Sequence, residues 1–115
     1  MLNFYKMKFI YLILAIILEV IGTTSLKASS GFTVLKPSIL TVISYALCFY
    51  FLSLTLKYFS SIGYIYAVWS GLGIVLIALV GIFYYKEQID IAGIIGLSLI
   101  ILGAIVLNIF SKISV

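Results

Sequence analysis

Residues Phe9 to Leu26 read FIYLILAIILEVIGTTSL, an apolar run flanked by Lys8 and Lys27 and interrupted by a single charge, Glu19. A helix that crosses a bilayer needs ~20 mainly apolar residues, so this run is one crossing. The rest of the chain repeats the pattern. A second uncharged block, Pro37 to Leu56, lies between Lys36 and Lys57, and a third, Tyr58 to Tyr85, runs 28 residues without a charge. A fourth, Ile91 to Ser111, follows the polar turn Lys86-Glu87-Gln88-Ile89-Asp90 and precedes Lys112. The 115 residues are 65% hydrophobic and 9% charged. Soluble domains carry roughly a quarter charged residues, so a bilayer is the solvent these side chains require.

The expected architecture is an all-α membrane protein, one domain over residues 1–115 with spans at about 9–26, 37–56, 61–85 and 91–111. Helices are required because a chain this short cannot close a transmembrane barrel, and its apolar runs are continuous rather than alternating. The third block is longer than a crossing needs, so it includes loop or a bent or tilted helix, with Ser60, Ser61 and Gly63 as the loop signal. Gly31 suits a left-handed helix terminus and Pro37, the only proline, suits a first helical turn, which makes the first two helices a hairpin. Lys6 and Lys8 before an apolar run also fit a signal peptide ending near Ala28, but a glutamate within the apolar region argues against a segment destined for removal.

The absent residues exclude several chemistries. There is no His, and Cys48 is the only Cys, so no metal site, His general base or internal disulfide is expected. All seven cations are lysines, and the net charge of +4 comes without the basic runs that nucleic acid binding needs. No phosphate cradle is present, since Gly71 and Gly73 sit inside an apolar run. The chain is expected to be no enzyme and to use no cofactor.

Glu19 lies eleven residues into its block, which at ~1.5 Å rise per residue is near the membrane midplane, beyond reach of Lys8 and Lys27. A carboxylate there either holds a proton or meets a cation; the structural alternative is a hydrogen-bond clip between helices. Ala15, Gly22 and Thr23, at i−4, i+3 and i+4, surround it with small side chains, which either leave space for a ligand or permit close helix packing. Tyr66 and Trp69 share one helix face and Tyr45 and Phe49 another, and aromatic faces of this kind attract cations. Gly71 and Gly73, just after Trp69, are candidates for a helix kink or hinge. Gly96 and Gly103 are two turns apart on one face of the last span, a candidate dimer contact.

These residues strongly resemble the small multidrug resistance family of bacterial proton-coupled efflux transporters. The likeness extends from Tyr11 to Asn108. It rests on Glu19-Val20-Ile21-Gly22-Thr23-Thr24, on Gly31-Phe32-Thr33 with Pro37-Ser38, on Tyr66-Ala67-Val68-Trp69-Ser70-Gly71-Leu72-Gly73, and on Gly96 with Gly103. The resemblance implies a four-helix chain working as an antiparallel dimer in the bacterial inner membrane, with helices one to three enclosing the site and helix four dimerising. Glu19 corresponds to the essential carboxylate that proton and drug share. Trp69, Tyr66 and Tyr45 match aromatic site residues, and Ala15, Gly22 and Thr23 the small lining. The guanidinium-exporting branch usually has Trp where this chain has Gly22, so the chain resembles the multidrug branch. It departs from the family pattern at Ser60-Ser61, where relatives often have proline, and it has one extra residue before Tyr66.

The expected function is therefore export of hydrophobic and quaternary ammonium cations driven by the proton gradient. The alternatives are guanidinium or polyamine export, one half of a heterodimeric transporter, and a non-transporting membrane assembly subunit. The lysines argue for dual topology independently of the resemblance. Four spans place Lys6, Lys8, Lys57 and Lys112 on one side and Lys27, Lys36 and Lys86 on the other, four against three. Orientation follows the Lys and Arg excess, and a difference of one gives almost no preference. No internal repeat is evident, so an inverted second half would come from another copy.

Overall fold

The computed structural model describes residues 4–59 and 61–110, with side chains described except at residues 4–6 and 108. Four helices follow one another: α1 (Phe4–Ala28), α2 (Leu35–Tyr58), α3 (Ile62–Phe83) and α4 (Ile91–Ile109). Two compact units divide the chain, Met1–Phe59 with α1 and α2, and Ser60–Val115 with α3 and α4. The stretches Met7–Ala28, Leu35–Tyr58 and Ile62–Phe83 are long and apolar enough to cross a bilayer, while the apolar part of α4, Ile91–Leu107, is shorter. Ser60, Ser111 and Lys112, which the sequence places in the second loop and at the end of the fourth span, lie outside the described residues.

The first hairpin packs through small and polar residues. On α2 the buried positions are Thr41, Ser44, Cys48 and Thr55, spaced three, four and seven apart along one seam. On α1 they are Leu12, Ala15, Ile16, Gly22, Ser25 and the following Ser29. Apart from Leu12 and Ile16, large apolar side chains mostly point outward: Ile13, Ile17, Val42, Ile43 and Leu47 are all exposed. This is the arrangement lipid selects, because hydrocarbon solvates branched side chains while small residues let two backbones approach. Buried hydroxyls in such a seam need partners. Thr41 Oγ1 donates to Pro37 O at 2.7 Å and Thr55 Oγ1 to Phe51 O at 2.9 Å, each satisfied on its own helix.

The turns follow the local chemistry. Ser30, Gly31 and Phe32 all have left-handed φ (48°, 71° and 64°). Ser29 anchors this turn, its Oγ donating to Leu26 O at 2.7 Å and accepting from Phe32 N at 3.1 Å. Pro37 falls in the first turn of α2, after the N-cap Val34. The excess length of the third uncharged block is taken up at its ends: Tyr58 belongs to α2, Phe59 is its C-cap, and Ser61 caps α3 by accepting from Tyr64 N at 3.1 Å. Helix α3 runs without interruption through Gly71 and Gly73. Asp90 caps α4, accepting from Gly93 N at 2.8 Å.

Aromatic residues mark one end of the first hairpin. Tyr11 stacks on both Phe51 and Tyr58 at 6.2 Å, Phe9 meets Phe59 edge-on at 5.6 Å, and Lys8 Nζ sits 4.2 Å from the Phe59 ring centre. Rings beside a lysine at a helix end are the composition of a membrane interface.

Candidate functional site

Glu19 occupies the α1 face that carries Ala15 one turn before it and Gly22 and Thr23 one turn after. Ala15 is fully buried and Gly22 is buried. Glu19 itself is half-buried; its Oε2 is shielded and has no hydrogen-bond partner among the described residues. A carboxylate oxygen without donor or solvent is costly in a low-dielectric setting, so the group requires a proton or a cation.

The second wall comes from α2. The Tyr45 ring lies on Gly22, so that a Cβ at residue 22 would stand 2.9 Å from Tyr45 Cδ2 and Cε2 and 3.4 Å from Ser44 Cβ. Thr23 Oγ1 and the Tyr45 hydroxyl share a hydrogen bond. Phe49 stacks beside Tyr45, ring centres 6.2 Å apart and planes 28° apart, and is itself exposed. Of the two readings of Gly22, ligand space or close packing, the structure shows packing, since the Tyr45 ring covers it, and the Tyr45 hydroxyl meets Thr23. Ser44, which sequence reasoning passed over, is buried under Gly22; its place in the Thr41-Ser44-Cys48 spacing is the signal that locates it.

In the second hairpin, Tyr66 and Trp69 form an edge-to-face pair with ring centres 5.8 Å apart. Tyr66 is exposed and Trp69 half-buried. Gly71 and Gly73 are buried, and a Cβ on Gly71 would stand 3.5 Å from Ile100 Cγ2 on α4. On α4, a Cβ on Gly96 or Gly103 would meet nothing within 4 Å. The first hairpin therefore gathers Glu19, Ala15, Gly22, Thr23, Tyr45 and Phe49, and the second gathers Tyr66 with Trp69. Among the described residues no group of three or more His, Cys, Asp or Glu is placed to hold a metal.

This combination of one half-buried carboxylate and ring pairs on apolar helices coincides with a family-wide sequence match. The family model described as Small Multidrug Resistance protein matches residues 7–100, which include Glu19, Tyr45, Tyr66, Trp69 and Gly96. The chain belongs to the Small Multidrug Resistance family. Quaternary ammonium compound-resistance protein QacC of Staphylococcus aureus is 49% identical to it over 104 residues, covering 90% of this chain and 96% of its own. QacH of Staphylococcus saprophyticus, a protein of the same description, is 47% identical over 106 residues, covering 92% and 98%. A multidrug transporter of Pseudomonas aeruginosa is 45% identical over 106 residues, covering 92% and 96%. Small Multidrug Resistance proteins are membrane proteins of transport and resistance rather than enzymes, in keeping with the apolar helices of this chain.

Proposed function

We propose that the protein exports hydrophobic and quaternary ammonium cations from the bacterial cell across the inner membrane in exchange for protons, with Glu19 as the shared binding group. The observation that carries this reading is the shielded Glu19 Oε2 without a hydrogen-bond partner, on an apolar helix beside a ring pair. Protonated, Glu19 is neutral and holds no cation. Ionised, it pairs with one, and the proton has gone. One site with two mutually exclusive occupants couples the two fluxes without any cofactor. The names of the relatives support the substrate class, since several are quaternary ammonium resistance proteins.

Alternating access needs two related arrangements of the helices. An antiparallel pair of copies, with all four helices of each crossing, supplies them as inverted halves and brings two Glu19 carboxylates to one midplane site. The open Gly96 and Gly103 positions on α4 support a contact between copies there, and Gly71 and Gly73 are where α3 would bend. Ala15, Gly22 and Thr23 line the carboxylate, and Tyr45, Phe49, Tyr66 and Trp69 supply ring faces to the cargo.

Proteoliposomes containing this chain alone test the function. A quaternary ammonium should accumulate against its own gradient when a pH gradient is imposed, and the accumulation should collapse when the gradient is dissipated. No accumulation by this chain, with uptake appearing only beside a second, non-identical chain, would reject the homodimer. For the ring faces, Trp69→Leu keeps apolar bulk but removes the indole. It should weaken binding of an aromatic cation by about 1 to 2 kcal/mol, up to about thirtyfold, in titration calorimetry. Unchanged affinity with reduced yield would make Trp69 a packing residue.

A further inference from the structure

The half-buried Thr23 treats its hydroxyl differently from Thr41 and Thr55, the buried threonines of α2. Thr41 and Thr55 return theirs to the carbonyl four residues earlier, at 2.7 and 2.9 Å, the usual resting place of a helical threonine. Thr23 instead directs its hydroxyl across the seam to the phenol of Tyr45. Gly22, next in sequence, clears the ground under the same ring, for a Cβ there would come within 2.9 Å of it. Phe49, one turn along α2, stacks beside the half-buried Tyr45 and is exposed, so the pair is held through Tyr45 and presents the Phe49 ring outward.

A phenol in an apolar medium needs a partner for its hydroxyl, and the partner chosen sets the direction of the ring. Threonine is well suited to set it, because its branched Cβ leaves few helix rotamers. We infer that Thr23 is a positioning residue for cation recognition: its hydroxyl holds the Tyr45–Phe49 ring pair one turn from Glu19, with Gly22 providing the clearance, and it acts on the cargo through Tyr45 rather than by touching it. The inference rests on the reading of Glu19 as the cation site and adds what orients the wall beside it. The consequence is selective. Flat aromatic cations, which need a ring face in a defined plane, depend on Thr23; a small, nearly spherical tetraalkylammonium depends on it less.

Binding of ethidium and of tetraethylammonium to the purified protein in nanodiscs decides the matter, with Thr23→Val, Thr23→Ser, Tyr45→Phe and the double variant Thr23→Val/Tyr45→Phe. Thr23→Val and Tyr45→Phe should each weaken ethidium about fivefold, the effect of one net hydrogen bond, and tetraethylammonium less. The double variant should lose no more than either single one, because both remove the same bond. Thr23→Ser should restore ethidium affinity, and in Thr23→Val the pH below which the apparent ethidium dissociation constant begins to rise should stay at its wild-type position, since the carboxylate is untouched. Multiplying losses in the double variant would mean that Thr23 contacts the cargo directly, and a Thr23→Ser protein as weak as Thr23→Val would mean that the hydroxyl is not what matters. Either result overturns the positioning role while leaving the export reading intact. Wild-type protein that binds neither cation overturns both.

Discussion

Replacing Glu19 with Gln should leave a chain that inserts and folds but accumulates no quaternary ammonium in proteoliposomes, whatever pH gradient is imposed. Gln keeps the size and hydrogen-bonding capacity of the carboxyl and loses the charge and the exchangeable proton. Two unit charges ~5 Å apart at an effective dielectric of about 20 attract by about 3 kcal/mol, so the loss of cation affinity should be on the order of a hundredfold. The pH profile should change as well. Wild-type binding weakens as pH falls, because protonation removes the charge that attracts the cation, whereas whatever binding Glu19→Gln retains should be flat with pH. Ala15, Gly22 and Thr23 are not ionisable and supply no substitute for the carboxylate.

The second large effect concerns orientation. The lysines divide four against three between the two sides, so the positive-inside preference is almost balanced. With Cys48 replaced by Ala and a single cysteine added at the C-terminus, a membrane-impermeant reagent should label comparable fractions from each side of the membrane. Cys48 is fully buried in the α1–α2 seam among small residues, so the replacement removes little volume. Labelling from one side alone would reject pairing of oppositely inserted copies and would call for an oppositely oriented partner chain.

Much of this is legible in the sequence, for physical reasons that differ from residue to residue. The four apolar blocks stand out because lysines and the Lys86 to Asp90 turn punctuate them. Glu19 stands out because a carboxylate in such a block has no ordinary reason to be there. The helix ends were less readable. Helix α1 begins at Phe4, before Lys8, and α2 continues to Tyr58 beyond Lys57, because a lysine at a helix end can lay its stem along apolar surface with its ammonium toward water. The Thr23–Tyr45 bond was not readable at all. It depends on which face of α2 meets α1, and in a membrane hairpin that face is the small and polar one, Thr41, Ser44, Cys48 and Thr55, with the large apolar residues turned outward. Hydrophobic periodicity, the usual guide to a buried face, points the other way.

The central claim is that proton and cation compete for one carboxylate, and the most direct measurement is proton release on binding. Purified protein in weakly buffered solution, at a pH where Glu19 is substantially protonated, is mixed with tetraphenylphosphonium while the pH is followed. The wild-type chain should release protons in step with saturation of the cation site, and Glu19→Gln should release none. Saturable binding by the wild type without proton release, or equal release from Glu19→Gln, would contradict the account.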